Sequence, residues 1–407
     1  MSETHFRTCP LCEATCGLAI DVEDGRVTRV RGDAQDVFSR GYVCPKGVNL
    51  QGLHADPDRL RAPQVRDGDS WREVDWTTAF ALIERRLGEI TEARGRNAVG
   101  VYLGNPNAHN MASSFYMRPL LKSLGTRHIY SASTVDQMPR HVSSGLLYGG
   151  PTLIPVPDLD RSDYLLMLGA NPLESNGSVC TAPDFPGRLQ ALRKRGGRLV
   201  VVDPQVTRTA KVADEHVAIR PGSDAALLLA LMHVLFEEGR VVLGSAETLV
   251  DDLDALREAV RPISPEAVEA RTGVEAATTR RIARELAEAR SAAVYARIGS
   301  HTVGFGTLAS FSTDVLTLLT GNLDRPGGLM WARAAHGRAS KDEPGGRGFE
   351  VGRWSSRVRG LPEVMGELPV ATLADEIETD GENQLRQQRV ESEYVDDIHE
   401  GDASGVA

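Results

Sequence analysis

The chain has 407 residues, of which 41% are hydrophobic and 25% are charged, as is ordinary for a folded protein large enough for two or more domains. Its net charge of −10 includes no basic block, so the composition gives no reason to expect a nucleic acid or a membrane surface as partner. No apolar run is long enough to cross a bilayer, and the first residues lack an export signal, so a cytoplasmic location is expected unless a partner subunit carries that signal.

Four of the five cysteines lie in the first 44 residues with the spacing C-x2-C-x3-C-x27-C: Cys9, Cys12, Cys16 and Cys44. In a reducing compartment such a group favours a metal site over disulfides. Zinc sites usually combine two paired knuckles, whereas a tight triplet closed by one distant cysteine is typical of iron–sulfur clusters. The spacing therefore predicts a [4Fe–4S] cluster, with structural zinc and unrelated thiols as the alternatives.

The segment between the third and fourth cysteines contains two alternating runs joined by Asp24-Gly25. This dipeptide favours a hairpin turn, which would return Cys44 to the triplet. Lys46 follows Cys44 by two residues. It is either a solvated lysine after a turn proline or a cation that stabilises the added electron and bridges toward a second redox centre, and its position favours neither.

From about residue 75 the pattern alternates between helices and strands. The predicted helices are 76–90, with Thr77 or Asp75 near its cap, 111–124, 184–195, 223–239 and 274–289. The predicted strands are 97–104, 128–133, 164–172, 198–205, 216–221 and 292–299. Strands that are apolar throughout and alternate with helices predict parallel sheets covered on both faces. The expected fold is α/β, with a small N-terminal iron–sulfur β-domain followed by doubly wound parallel-sheet domains.

Small and polar residues follow five of the predicted strands, in the sequences GNPNAHN, GANPLESNG, VDPQVTRTA, RPGSDAA and RIGSHTVGFG. Ligands of open α/β sheets bind at the carboxyl ends of the strands, where Gly, Asn, Ser and Asp let backbone amides approach a phosphate. One such loop alone is usually only a turn. Five of them favour a long ligand with several phosphates, such as a dinucleotide.

Taken together, these segments resemble the molybdopterin oxidoreductase family, of the dimethyl sulfoxide reductase and formate dehydrogenase type. The resemblance rests on the cysteine triplet, on Cys44 followed by Pro-Lys-Gly, and on LGANP, VVDPQVTRTA, RPGSDAALLLALMHVL and TGNLDRPGG in that order, from about residue 6 to about residue 330. It implies a [4Fe–4S] cluster and a molybdenum or tungsten atom held by two molybdopterin guanine dinucleotides. It places Lys46 on the electron path between them.

The resemblance also implies a set of dinucleotide contacts in the strand-end loops. The candidates are Gly169, Asn171, Ser175, Asn176, Asp203, Gln205, Thr207, Arg220, Gly222, Asp224, Gly299 and Gly304.

The protein ligand to the metal varies in the family and lies in the stretch that corresponds here to YSASTVDQMPRHVSSGLLYGG, which contains no cysteine. Asp136 is the best substitute, because a carboxylate can bind a high-valent metal. The alternative is that Asp136 caps the helix that starts nearby. His141 is either a proton-transfer group or an ordinary histidine. Cys180 is interpreted as a small buried residue outside the site.

Family chains continue well past residue 407, so the resemblance predicts a truncated or frameshifted member, or one whose second half is encoded separately. The expected domains are a [4Fe–4S] domain at 1–60 and interleaved dinucleotide-binding domains at 61–335. A remnant of the next family segment follows at 336–380, and a polar, acidic tail at 381–407 is expected to be disordered.

The sequence leaves three functional hypotheses open. The first is an oxidoreductase subunit that acts on a small substrate such as nitrate or formate and exchanges electrons with a redox partner protein, either a ferredoxin, a flavoprotein or an iron–sulfur subunit. The second is a non-catalytic iron–sulfur electron-transfer or scaffold subunit with the same fold. The third is a nucleotide-binding protein with zinc at its four cysteines. Neither nucleic-acid binding nor membrane insertion is expected.

Overall fold

The computed structural model describes residues 2–104, 107, 109–332, 349–382 and 384–385. The strands are β1 (Ser2–Thr8), β2 (Gly17–Glu23), β3 (Arg26–Gly32), β4 (Gln64–Asp67), β5 (Ser70–Glu73), β6 (Val101–Leu103), β7 (Ile129–Ser131), β8 (Pro155–Pro157), β9 (Tyr164–Leu168), β10 (Arg198–Val202), β11 (Glu215–Val217), β12 (Ala292–Ala296), β13 (Leu329–Trp331), β14 (Val351–Ser355) and β15 (Pro362–Val364).

The α-helices are α1 (Pro45–Val48), α2 (Leu50–Ala55), α3 (Trp76–Arg94), α4 (Met111–Leu124), α5 (Ser133–Asp136), α6 (Met138–Tyr148), α7 (Pro172–Ser175), α8 (Phe185–Lys194), α9 (Arg208–Val212), α10 (Asp224–Glu237), α11 (Leu253–Val260), α12 (Pro265–Thr272), α13 (Ala276–Glu288), α14 (Ile298–His301), α15 (Gly306–Leu319) and α16 (Leu373–Glu378). Short 3-10 helices cover Arg96–Ala98, Gly244–Leu249 and Val370–Thr372. None of the helices in the described ranges is long and apolar enough to cross a membrane.

The chain divides into two compact units. The first contains the residues up to Val48 together with Ala132–Val351, and the second contains Asn49–Ser131 together with the residues from Gly352 onward. Each unit is therefore built from segments that are distant in sequence.

The N-terminal sheet of the first unit consists of β1, β2 and β3, all antiparallel, with Thr8 opposite Gly17. Asp24 and Gly25 connect β2 to β3 with φ angles of 48° and 76°, the left-handed pair that a tight hairpin turn requires. The predicted hairpin is therefore confirmed. After β3 the chain folds back, and the backbone N–H of Gly17 donates to Ser39 Oγ at 3.0 Å, which brings the Cys44 segment to the triplet.

The main sheet of the first unit is parallel and has the order β11-β10-β9-β12. Alternate residues of its strands enter two separate cores. Leu166 and Val200 pack with α10, α13 and α15 on one face, whereas Leu165 and Val201 pack with α8 and α9 on the other. This two-faced burial explains why β9, β12 and the last four residues of β10 are apolar, and it confirms the predicted α/β class with helices on both faces of a parallel sheet.

The second unit contains the parallel pair β6 and β7, the antiparallel pair β4 and β5, and the two-stranded sheet of β14 and β15. Its longest helix, α3, begins after Asp75, whose carboxylate accepts a hydrogen bond from the Thr78 backbone N–H at 2.6 Å. Of the two caps predicted for this helix, the structure therefore has Asp75.

Predicted and observed bounds agree best for helices, and α4 covers the predicted 111–124 completely. Strands are shorter than predicted: β6 covers only Val101–Leu103 because the preceding residues form a 3-10 helix. Of the predicted C-terminal segments, residues 336–348, 383 and 386–407 lie outside the described residues.

Candidate functional site

The cysteine triplet forms a closed loop at the end of β1. The backbone N–H of Cys9 donates to the Cys16 carbonyl at 2.9 Å, and that of Thr15 donates to the Cys12 carbonyl at 3.2 Å. Thr15 itself has a left-handed φ of 45°, which bends the loop back on itself. Cys9 and Cys16 are buried, while Cys12 and Cys44 are partly exposed, and all are free thiols.

The Cys12, Cys9 and Cys44 thiols lie near enough to Cys16 to affect its pKa, and their joint binding of one cluster stays a prediction. The pKa of Cys16 is raised to about 11, chiefly by burial and to a smaller extent by the three neighbouring thiols. Burial likewise raises the pKa of Cys9. Several thiolates cannot share this volume without a positively charged group to compensate them, and an iron–sulfur cluster provides that compensation.

The fit of the quartet to a cluster rests on this donor chemistry. In the described part of the chain, no group of three or more His, Cys, Asp and Glu side chains is arranged to hold a metal ion as it stands. Close packing of α1 beside the sulfurs requires glycine at position 47. A Cβ atom on Gly47 would lie 2.5 Å from Val43 Cγ2 and 3.7 Å from Cys9 Sγ. Lys46, the neighbouring residue on α1, is exposed.

The predicted dinucleotide contacts follow β9, β10, β11 and β12, and all lie beyond the carboxyl edge of one sheet. Two of these loops touch at Gly169 and Gly299, where the Gly299 backbone N–H donates to the Gly169 carbonyl at 3.0 Å. Gly169 has a φ of 53°, and a Cβ on it would lie 2.6 Å from the Ser300 nitrogen. Glycine at this position thus permits a backbone contact between two strand-end loops. In the loop after β6, Asn105, Pro106 and Ala108 lie outside the described residues.

Several predicted contact residues form hydrogen bonds within the loops themselves. Asn171 Oδ1 accepts from Thr209 Oγ1 at 2.8 Å, which ties α7 to α9. Thr207 Oγ1 accepts from the Ala210 backbone N–H at 3.1 Å and so caps α9. Asn176, with a φ of 61°, ends α7. Asn171, Thr207 and Asn176 thus fix the conformation of the loops after β9 and β10, and the exposed Ser175 and Gln205 lie beside them.

The loops after β10 and β11 bring two carboxylates near each other. Asp203 Oδ1 accepts from the Gln205 backbone N–H at 2.9 Å. Asp224 is 5% exposed at the start of α10, where burial, reinforced by the Asp203 charge, raises its pKa to about 6. Arg220 lies on the same loop, exposed, and its guanidinium donates to the Ala270 carbonyl at 2.6 Å. Gly222 adopts a φ of 77° between them.

Asp224→Asn is expected to remove a pH-dependent loss of stability. A folded-state pKa of about 6 against 3.8 means that the native chain binds more protons between these values, so Asp224 destabilises the fold as pH rises through about 6. Between pH values well below 3.8 and well above 6, this effect changes the free energy of unfolding by an amount on the order of 3 kcal/mol. Urea unfolding of both proteins at pH 4.5 and 7.5 measures the larger part of this difference, and the variant should gain relative stability at pH 7.5. An unchanged difference between the two proteins at both pH values would contradict this assignment.

Gly169→Ala is expected to destabilise the first unit by about 1–3 kcal/mol, because alanine would adopt a positive φ and press its Cβ against the Ser300 backbone. Gly304→Ala is the matched control, since a Cβ there has no atom within 4 Å. Chemical denaturation followed by circular dichroism compares the two variants. Equal stability of the two would show that the loop contact carries no constraint.

Asp136, the predicted metal ligand, is the last residue of α5 and is half-buried. Its alternative role as a helix cap is wrong: α6 begins at Met138 after Gln137, and no side chain caps it. Burial raises the pKa of Asp136, and the Arg297 guanidinium opposes that shift. His141 Nδ1 lies 2.7 Å from the Pro151 carbonyl, a contact within the fold.

Cys180 is 6% exposed in the core on the α8 side of the main sheet. Burial raises the pKa of its thiol to about 12. The prediction of an ordinary buried cysteine is confirmed.

Sequence reasoning missed a buried polar cluster between α6, α14 and α15. Arg140 Nη1 donates to Asp314 Oδ1 at 2.6 Å, and Tyr148 donates its O–H to Asp314 Oδ2 at 3.0 Å. Arg297 and His301 lie on the chain just after β12 and are each 3% exposed. The segment RIGSH, which contains Arg297 and His301, directly follows an apolar strand. Its charged and ring side chains could therefore have indicated this polar cluster from the sequence.

Glu13, also unpredicted, links the cysteine loop to the segment after α7. Its Oε2 accepts from Thr181 Oγ1 at 2.6 Å and from the Val179 backbone N–H at 3.0 Å. Val179 has a φ of 62°, which is strained for a β-branched residue. Glu13 and the Tyr295 hydroxyl, which bonds Ser178, hold this strained segment in place.

Two family profiles match the chain. The Molybdopterin oxidoreductase Fe4S4 domain matches residues 7–53, which include all four clustered cysteines. The Molybdopterin oxidoreductase family matches residues 59–385, which include every strand-end loop discussed above. The two profiles support the two cofactors expected from the sequence, a [4Fe–4S] cluster and a molybdenum or tungsten molybdopterin.

Curated relatives are similar over most of this chain. Formate dehydrogenase H of Escherichia coli (strain K12) is 29% identical over 78% of this chain and 44% of its own. The menaquinone reductase, molybdopterin-binding-like subunit of Nitratidesulfovibrio vulgaris is also 29% identical, over 78% of this chain and 44% of its own. The chain thus spans less than half the length of these relatives.

Among solved structures, the acetylene hydratase from Pelobacter acetylenicus superposes with a TM-score of 0.66. It is 22% identical and covers 78% of this chain and 43% of its own. This likeness supports the fold.

Proposed function

Because this chain belongs to the molybdopterin oxidoreductase family, we propose that it is a catalytic subunit, or part of one, that carries out two-electron redox chemistry on a small substrate such as nitrate or formate. When bound, the metal–pterin group supplies the two-electron exchange and the [4Fe–4S] cluster supplies single-electron transfer. The observation that carries the proposal is the cysteine loop, which the Cys9–Cys16 backbone hydrogen bond closes, in the same compact unit as the loops after β9, β10, β11 and β12.

At the cluster, the thiolates of Cys9, Cys12, Cys16 and Cys44 hold the iron. Lys46 follows Cys44 on α1 with no carboxylate paired to it among the described residues, so its ammonium is available to favour the reduced form by charge. Asp136 supplies the carboxylate to the molybdenum or tungsten, in a half-buried setting that limits water.

At the sheet edge, the backbone around the Gly169–Gly299 contact and around Gly222 and Gly304 receives the phosphates of the dinucleotides. Asp203 and Asp224 accept from ribose or guanine donors, and Arg220 pairs with phosphate. The remaining proposed contacts, which come from the same loops, are Asn171, Ser175, Asn176, Gln205 and Thr207.

The proposed setting is the cytoplasm, with a ferredoxin, a flavoprotein or an iron–sulfur subunit as electron partner. Metal and nucleotide analysis of the anaerobically purified chain tests the whole proposal. We expect iron, acid-labile sulfide, molybdenum or tungsten, and guanine nucleotide released on denaturation. A preparation with neither sulfide nor nucleotide would overturn it, and zinc in place of iron would favour the zinc-site reading.

A second candidate is a non-catalytic electron-transfer or scaffold subunit with the same fold. Two observations favour it: residues 130–150 contain no cysteine to bind the metal, and one relative bears the name of a molybdopterin-binding-like subunit. The same analysis separates the candidates, because the scaffold subunit would contain iron and sulfide without molybdenum, tungsten or nucleotide.

A further inference from the structure

One peptide bond joins the cysteine triplet to the segment that leads to Cys44. This is the bond between Cys16 and Gly17. Its carbonyl accepts from the Cys9 backbone N–H at 2.9 Å, which closes the triplet loop. Its N–H, which belongs to Gly17, donates to Ser39 Oγ at 3.0 Å. The same peptide unit is therefore held on one side by the triplet and on the other by a side chain of the returning segment.

A carboxylate strengthens the contact at Ser39. The Ser39 hydroxyl donates to Asp36 Oδ2 at 2.7 Å, and the Ser39 backbone N–H donates to the same oxygen at 2.6 Å. A hydroxyl that donates to a carboxylate is a better acceptor for the Gly17 N–H, because hydrogen bonds in a chain polarise one another. Ser39 is 4% exposed, so solvent competes little for these bonds. We call the set of Asp36, Ser39 and Gly17 the return clamp.

Close packing also fixes the segment that contains the clamp. A Cβ atom on Gly17 would lie 2.5 Å from Asp36 Cβ, and a Cβ atom on Gly32 would overlap the Gly41 carbonyl oxygen. Arg40 and Gly41 have φ angles of 50° and 87°, a left-handed pair that turns the chain between Ser39 and Cys44. The segment 36–41 therefore packs against the start of β2 and the end of β3.

The chain on the other side of Cys44 also lies beside the triplet. The Val48 backbone N–H donates to the Cys44 carbonyl at 3.2 Å as α1 begins. Gly47 lies close enough to the triplet that a Cβ atom on it would be 3.7 Å from Cys9 Sγ. The return clamp and α1 thus bracket Cys44, one next to Cys16 and the other next to Cys9.

We propose that Asp36 and Ser39 are positioning residues for the fourth cluster ligand. The return clamp holds the segment 36–44 against the Cys16–Gly17 peptide and so sets the position from which the Cys44 thiolate binds iron. Neither side chain binds the metal. The clamp offsets part of the entropy lost when Cys44 is brought back across the 27 residues that separate it from Cys16. The proposal rests on the proposed function in assigning one iron atom to each of the four thiolates.

Iron release from the anaerobically purified full chain tests the clamp without any turnover. The chelator bathophenanthroline disulfonate is added, and its iron complex is followed by absorbance. In Ser39→Ala we expect about one iron in four to leave faster than in the parent chain, by a factor of about 10–100, and the other three to leave at the parent rate. Loosening Cys44 frees only its own iron, because the Cys9–Cys16 hydrogen bond still closes the triplet loop.

Thr4→Val is the matched control. Thr4 Oγ1 also donates to a carboxylate in the N-terminal sheet, that of Asp21 at 2.7 Å, but this bond lies outside the clamp. All four iron atoms should leave this variant at the parent rate. Asp36→Asn keeps the shape of the clamp and removes its charge, so it should give the same fast fraction with a smaller acceleration. It also keeps the test decisive if Ser39→Ala does not fold.

Two results would overturn the proposal. Release of all four iron atoms at one faster rate would mean that the clamp only stabilises the fold in general, and release at the parent rate would mean that it does not hold Cys44.

A parent chain without iron and sulfide would instead remove the proposed function, and cadmium titration of that chain would then test the clamp alone. Thiolate-to-cadmium absorption should show binding about 10–100 times weaker in Ser39→Ala than in the parent chain and Thr4→Val. Equal cadmium affinity in the three proteins would overturn the clamp.

Discussion

Cys16→Ser is expected to reduce the iron content from about four atoms per chain to nearly none, with parallel loss of acid-labile sulfide. Cys16 is buried, and its carbonyl accepts the hydrogen bond from the Cys9 backbone N–H that closes the loop. No other thiol can therefore take the place of Cys16 without unfolding that loop. A serine hydroxyl stays protonated at neutral pH and is a poor ligand for iron in a cluster. Iron and sulfide analysis after anaerobic purification, together with visible absorption, measures the loss.

Cys180→Ala is the matched control for this experiment. Cys180 is also a buried free thiol, yet it lies in the core on the α8 side of the main sheet and its thiol contacts the Pro157 carbonyl at 3.8 Å. This variant should retain the parent iron content. Equal loss of iron in both variants would point to general unfolding, and unchanged iron in Cys16→Ser would remove Cys16 from the ligand set.

The parts of the structure that could be predicted from the sequence are those set by local patterns. The Asp24-Gly25 turn needs two left-handed residues in a row, and that requirement is visible in the sequence. The main sheet was predictable because both of its faces are buried, which makes β9 and the last four residues of β10 apolar. The spacing of the cysteine triplet is likewise a local pattern, and the predicted hairpin explains how Cys44 returns to the triplet.

The parts that could not be predicted depend on residues brought together by packing. Arg140 and Asp314 are 174 residues apart, and Glu13 and Thr181 are 168 apart. No local periodicity marks either pair, because each forms only once the strand-end loops and helices are in place. The same reason explains why the alternative reading of Asp136 as a helix cap failed, since its sequence position suits a cap although Gln137 stands before α6.

Glu13 joins the cysteine loop to the segment 177–181 through Val179 and Thr181. Ser178 of that segment accepts a hydrogen bond from Arg297, which follows β12. Hydrogen bonds therefore connect the cysteine loop to the end of β12 within the first unit. They give a structural reason for an acidic residue next to Cys12.

Asp314→Ala is expected to destabilise the first unit by about 3–5 kcal/mol, because it leaves the Arg140 guanidinium buried without its counter-charge. Asp314 is 1% exposed, and its pKa is raised by burial, an effect that the Arg140 charge opposes. Replacing both partners with apolar residues, as in Arg140→Met with Asp314→Leu, should cost much less than the single change, since no charge is then left unpaired. Urea unfolding of Arg140→Met, Asp314→Leu and the double variant gives the coupling energy directly.

Tyr148→Phe provides the graded control, because it removes only the hydroxyl that donates to Asp314 and keeps the edge-on contact with Trp331 at 5.1 Å between ring centroids. It should cost about 1 kcal/mol. If the double variant were as unstable as Asp314→Ala, the loss would come from packing and not from the stranded arginine.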